Sequence, residues 1–245
     1  LIQWGLGGLG IMYLPAMVPE FGTSALFISL MSFTFISLLM LPFLQHYPVA
    51  AIDPLAALPA KVKRLPLFLN LSAIFLFQAA NMGLFAYVIG LGKAEGLSMD
   101  FMSPALASAS WVALLGSMLV IVMGTKFGRT GPLVSAILIT ALCSWALVFS
   151  EISSVYLLAN VIIGITWAFA LPYMFGICSE LDKAGQLAAL GGFASKMGLA
   201  SGPMVAALML TNDDYQAVIY VSAIALVLAA AVVYMPARLL DNNLA

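Results

Sequence analysis

The sequence predicts an all-α, polytopic membrane protein of about eight transmembrane helices. Three observations carry this: an extreme apolar composition, charge confined to short separators, and basic residues gathered on alternate separators. Of 245 residues, 64% are hydrophobic and only 8% charged, with a mean hydropathy of +1.11. A soluble domain carries about 25% charged residues. No soluble fold of this length buries so much apolar surface, so the solvent is lipid. Backbone groups in lipid have no partner but each other, and a helical bundle follows.

A bilayer crossing needs about 20 apolar residues. The spans predicted in order are 1–18, 24–44, 67–91, 102–123, 132–150, 154–178, 187–210 and 215–236. The first opens inside an apolar run, so the chain is expected to be part of a longer protein, and it closes at PEFGTS. The second closes at His46, read as an interfacial histidine beside Tyr47. Residues 45–66 then hold Pro48, Pro54, Pro59 and Pro66 with the cluster KVKR. Proline blocks a continuous helix there and marks a linker. GKAEGLSMD, GTKFGRTGP, SEIS, SELDKAGQ and TNDDY separate the later spans.

With the linker inside, Lys61, Lys63, Arg64, Lys126, Arg129, Lys183 and Arg238 share one side, Lys93 alone falls opposite, and Lys196 lies within a span. By the positive-inside rule that side is cytoplasmic. The net charge of −1 carries no field that would attract nucleic acid. Cys143 and Cys178 stand far apart in apolar runs and read as small core residues.

The stretch from Gly8, GLGIMYLPAMV, is matched by KMGLASGPMVA from Lys196, with Gly10 to Pro15 echoed by Gly198 to Pro203 at an offset of 188 residues. Repeats of whole halves are a transporter architecture. The first and seventh spans are then equivalent helices of two halves. Two spans before the linker and six after it, the loop GTKFGRTG at 124–131 and the glycine-rich stretch 181–203 together resemble the major facilitator superfamily from its fifth to its twelfth helix. Lys126, Gly128 and Arg129 match that family's cytoplasmic gating loop, and Thr125 stands where its more regular copy has Asp. The resemblance implies that 1–44 are the last two helices of an N-terminal half, that 45–66 are the cytoplasmic linker and that 67–245 are a six-helix C-terminal half. It implies a secondary active transporter working by alternating access in a bacterial inner membrane, its C-terminus cytoplasmic. Symport with a coupling proton or cation is among the modes such a transporter uses.

Candidate solute-binding residues come from polar groups inside the spans. Lysine at a helix centre costs roughly 2.5–3.5 kcal/mol on insertion scales. Lys196 sits near the midplane, too deep to snorkel, among Gly191, Gly192, Ala194 and Ser195. An organic anion, or an acid on another helix, is its expected partner. Asn70, Gln78 and Asn81 occupy one arc of the third span at about 100° per residue, with Phe85 on the same side. Amides do not face lipid, so Gln78 and Asn81 should face the interior. Asn160, Gly164 and Trp167 share a face of the sixth span, and an indole N–H at that depth needs a partner. No His/Cys/Asp cluster, nucleotide loop or paired intramembrane acid is visible, so neither an enzyme nor a cofactor is expected. A non-transporting sensor or scaffold on the same bundle is the alternative.

The basic asymmetry predicts that Val62→Cys and Phe127→Cys are labelled by a membrane-impermeant maleimide only from the cytoplasm, and Asp213→Cys only from outside. Labelling of Phe127→Cys from outside contradicts the span assignment.

Overall fold

The computed structural model describes residues 2–43, 64–181, 186–210 and 214–242. Most of the linker, His46, Lys61, Lys63, Lys183 and Asp213 lie outside these residues. Among the described residues every regular element is a helix. Five helical segments among the described residues are long and apolar enough to cross a membrane: Arg64–Phe85, Met99–Met123, Thr130–Phe149, Ser153–Leu181 and Gln216–Asn242.

The chain opens with α1 (Ile2–Phe21) and α2 (Ser24–Leu39), turned at Gly22, whose φ of 71° is the left-handed conformation that glycine adopts without strain. α2 is apolar but shorter than a full crossing. It has no buried residue and exposes Phe27, Met31 and Phe35. Its Ser29, Ser32, Thr34 and Ser37 hydroxyls each donate to the carbonyl four residues earlier, at 2.8 to 2.9 Å. Hydroxyls on a lipid-exposed helix are satisfied in this way without a neighbour.

α3 (Arg64–Phe85) begins inside the stretch expected to be linker. Pro66 lies in its first turn, where the missing N–H breaks no helical bond, so a proline read as a linker mark instead opens a helix. The span expected at 67–91 is divided. After Phe85 the chain breaks at Tyr87 (φ −113°, ψ 5°) and resumes as α4 (Val88–Ala94). Tyr87 is held there by its hydroxyl, which donates to the Pro203 carbonyl at 3.2 Å. The next span is also in two parts, α5 (Met99–Val112) and α6 (Leu114–Met123), which meet at Ala113.

α7 (Thr130–Ala146) and the 29-residue α8 (Ser153–Leu181) follow. At about 1.5 Å per residue α8 is longer than a hydrocarbon core of about 30 Å. It is therefore long enough to carry Glu180, near its end, beyond such a core. α9 (Gln186–Met209) has the length to cross. Its glycines, serines and Lys196 keep it off the set of five apolar spans, and α1 and α2 are not among them either. Among the described residues, five of the eight expected spans have both the length and the apolarity of a crossing. α10 (Gln216–Asn242) closes the described chain.

Packing between the helices relies on small residues. In lipid the hydrophobic effect does not drive helices together, and close van der Waals contact must do so. Along α9, Gly198 and Gly202 lie against the backbone of α3 at Phe75 and Ala79, and Gly83 of α3 returns the contact to Gly202. Gly116 of α6 lies against the Ile165 carbonyl of α8, and Gly164 of α8 against Ala109 of α5. α10 packs on α3 and α7, α7 on α8, and α1 on α5, where the Trp111 indole covers Gly8. One buried cluster joins α3, α7, α8 and α10 through Ile74, Phe77, Ile137, Met174 and Leu226. A second, around Leu106, Tyr156 and Ile219, fills the other end.

The α3–α9 contact makes a paired prediction. A methyl at Gly202 would overlap the Ala79 carbonyl, whereas one at Gly192 meets nothing within 4 Å. Gly202→Ala should destabilise the detergent-solubilised protein by about 1–3 kcal/mol, as overpacking does. Gly192→Ala should stabilise it by about 0.5–1 kcal/mol through helix propensity. Thermal unfolding of both variants checks the contact, and equal shifts would deny it.

Candidate functional site

A cavity of about 440 Å³ lies between α1, α3, α5, α6, α8 and α9. That is within the range of small-molecule sites, about 300–1,000 Å³. Its wall is mostly apolar, from Ile11, Met82, Phe85, Leu106, Ile163 and Leu199, and Gln78, Ser110, Ser117, Asn160 and Trp167 supply the polar edges. No ionisable side chain is among the described residues that line it.

The centre of the site is Gln78. It is 2% exposed and bridges three helices. Trp167 Nε1–H of α8 donates to Gln78 Oε1 at 2.7 Å, and Gln78 Nε2–H donates to Ser195 Oγ of α9 at 2.7 Å. Phe85 stands edge-on to Trp167, ring centroids 6.3 Å apart. A carboxamide has one acceptor and two donor hydrogens, so it can join an indole on one side to a hydroxyl on the other. Asn160, one turn and more along α8 from Trp167, donates one amide hydrogen to the Tyr156 carbonyl at 2.8 Å. Its Oδ1 and the Ser117 hydroxyl accept or donate no hydrogen bond among the described residues, and both side chains line the cavity.

Of the five residues expected to bind solute, three therefore meet at one cavity: Gln78, Asn160 and Trp167. Asn81 is buried but does not line it. Its Nδ2–H turns back to the Phe77 carbonyl of its own helix at 2.8 Å, and its Oδ1 has no partner among the described residues. Asn70, on the same arc, ties α3 to α8 by donating to the Met174 carbonyl at 2.9 Å and to Cys178 Sγ at 3.1 Å. Lys196 is exposed and is not part of the cavity wall. It makes no ion pair among the described residues. Ser195, which the sequence marked only as a small neighbour of that lysine, is the residue that anchors Gln78.

The loop 124–129 forms a second polar centre. Gly124 and Gly128 take φ of 51° and 71°, and a Cβ at Gly128 would crowd the Asp241 carboxylate at 3.1 Å. Arg129 is buried, and its guanidinium pairs with Glu180 at the end of α8 and lies 3.7 Å from Asp241 at the end of α10. Asp241 Oδ1 accepts the Arg129 backbone N–H at 2.8 Å, and its Oδ2 accepts the Thr130 N–H at 2.9 Å and the Thr130 hydroxyl at 2.6 Å. A carboxylate from another helix thus caps the start of α7, where unpaired N–H groups and the helix dipole favour negative charge. Tyr173 Oη donates to the Gly124 carbonyl at 2.7 Å. Lys126 stays exposed. The clamp gathers the loop and the ends of α8 and α10 at one end of the bundle, the grouping expected from the basic residues. No sequence motif pointed to Glu180 or Asp241 as its acids.

Asp241→Ala should cost at least the roughly 0.5–2 kcal/mol of a lost N-cap, and Asp241→Asn less, because an amide oxygen still accepts one N–H. Thermal unfolding of the two variants tests the cap, and an unchanged midpoint in Asp241→Ala contradicts it.

The chain matches no protein-family model, no curated protein and no solved structure.

Proposed function

We propose that this protein is a secondary active transporter that moves a small solute through the cavity at Gln78 by alternating access, in the manner of the major facilitator superfamily. The carrying observation is the place of the cavity in the repeat. Ile11 and Leu199, at equivalent positions 188 residues apart in the two repeated stretches, both line it. A solute site between two repeated halves is what alternating access requires, since each half can rock about the bound molecule. The wall of neutral, partly spent hydrogen-bonding groups supports reversible binding, because each contact it offers is weak enough to be exchanged for water. The Arg129–Glu180–Asp241 clamp ties three helix ends into one unit and suits a rigid body that moves as a whole. Asn81 stands behind the wall as a supporting amide. Lys196 gives the reading its bias toward an organic anion, and a proton or cation gradient supplies the driving force. On this reading the clamp end faces the cytoplasm, and α1, α9 and the segment of α2 extended by the 3-10 turn Leu41–Phe43 cross the bilayer with the five apolar spans.

The test is uptake by proteoliposomes under an imposed proton or sodium gradient. Native Cys143 and Cys178 are buried, so Ile11→Cys and Leu199→Cys can be alkylated selectively. Each variant should accumulate solute before alkylation with a bulky maleimide and none after it. If no solute in a broad panel accumulates under either gradient, the transporter reading fails.

A further inference from the structure

The cavity and the lysine are two parts of one chemistry. On α9, Leu199 lines the cavity, and Lys196 precedes it by three residues. At about 100° and 1.5 Å per residue, the two lie about 60° apart around the axis and less than one turn apart along it. Ser195, the immediate neighbour of Lys196, is hydrogen-bonded to Gln78 in the cavity wall. The opposite flank of α9, with Gly198 and Gly202, is closed against α3. Lys196 is exposed on the flank of α9 away from those glycines, outside the cavity wall and about 60° around the axis from Leu199, which lines it. Lys196 is the eleventh residue of the helix Gln186–Met209, so its ammonium is held at mid-span with no acid beside it among the described residues.

We infer that the site takes an organic monoanion with a compact aromatic or branched apolar body, the body in the cavity and the carboxylate on Lys196 at its rim. The described wall disfavours the neighbouring classes. A dianion would leave its second charge in a chamber without a cation, at a steep cost of desolvation. A zwitterionic amino acid would leave its ammonium without an acid. A sugar would bury many hydroxyls against a wall that is largely apolar, where Ser117 and Asn160 are among the side chains that hold uncommitted hydrogen-bonding groups. Those two can serve one neutral substituent on the body, such as a hydroxyl. The apolar body gains by leaving water, and the carboxylate gains a charge-assisted hydrogen bond to the lysine. This inference rests on the cavity being the transported solute's site, but its test is binding alone.

Binding of radiolabelled phenylacetate and 3-methylbutanoate to the purified full chain, each against its own amide and against acetate, tests the class. The acids should bind about tenfold to a hundredfold more tightly than the amides, the worth of one charge-assisted bond. Acetate, which lacks the body, should bind far more weakly. Lys196→Gln should bring each acid to the affinity of its amide and leave the amide unchanged. Lys196→Arg should keep most of the preference. Ser117→Phe should weaken acid and amide together by filling the cavity, with an unaltered thermal midpoint showing that the fold is intact. The assignment is overturned if neither acid binds, if acetate binds as tightly as phenylacetate, or if Lys196→Gln leaves the affinity for the acids unchanged. Lysine-dependent binding without gradient-driven uptake would leave the ligand class standing and refute transport. Uptake of a neutral solute that the acids do not inhibit would do the reverse.

Discussion

The contact of α9 with α3 through Gly198, Gly202 and Gly83 is the constraint on which the rest depends. Two helices that meet backbone to backbone leave no room for rotation. That fixes Ser195 opposite Gln78, and Gln78 in turn fixes Trp167 on α8. Three helices are registered by one carboxamide, and the cavity is the space left on the far side of that register. A side chain larger than hydrogen on the glycine face would push α9 out and open the bridge. The same logic recurs at Gly116 and Gly164, which bring α5 and α6 against α8 and close the opposite wall.

Polar groups are used sparingly and many are paired, whereas the Ser144 and Ser150 hydroxyls and the Asn70 and Asn81 Oδ1 atoms have no partner among the described residues. Thr140 donates to the Ala136 carbonyl or to Thr166, and Thr166 donates to the backbone a turn before it. Tyr156 reaches the Val88 carbonyl across the far end of the bundle. Each such bond removes a group that lipid would otherwise leave unsatisfied. Charge is treated differently. Arg129 is buried with two acids at one end, whereas Lys196 stands at mid-span with none among the described residues. The first cation is neutralised where it is buried, and the second stands exposed on α9.

Much of this was legible in the sequence, because lipid leaves few alternatives. Composition alone dictated helices. The arithmetic of 100° per residue placed Asn160, Gly164, Trp167, Gln78 and Phe85 toward the interior, and all five line the cavity. The offset of 188 residues paired Ile11 with Leu199. Partners were not legible. An arc of amides says that they face inward, not which atom each will meet, so Asn81 facing its own helix and Ser195 bonded to Gln78 could not be separated beforehand. Glu180 lay in the separator SELDKAGQ and Asp241 carried no signal, because their pairing with Arg129 joins positions 51 and 112 residues apart. The break at Tyr87 was hidden inside an unbroken apolar run, since periodicity carries no signal where every face is apolar. Pro66 misled for the opposite reason: proline ends helices and begins them equally well.

The central claim is that the α1 side and the α3–α10 side of the cavity move against each other about a bound solute. Distances between spin labels at Phe21→Cys on α1 and Glu95→Cys beyond α4 measure this directly, since both native residues are exposed. The account predicts two distance populations whose ratio shifts when an aromatic monocarboxylate is added. A single distance, unchanged by solute and by an imposed proton gradient, would contradict it.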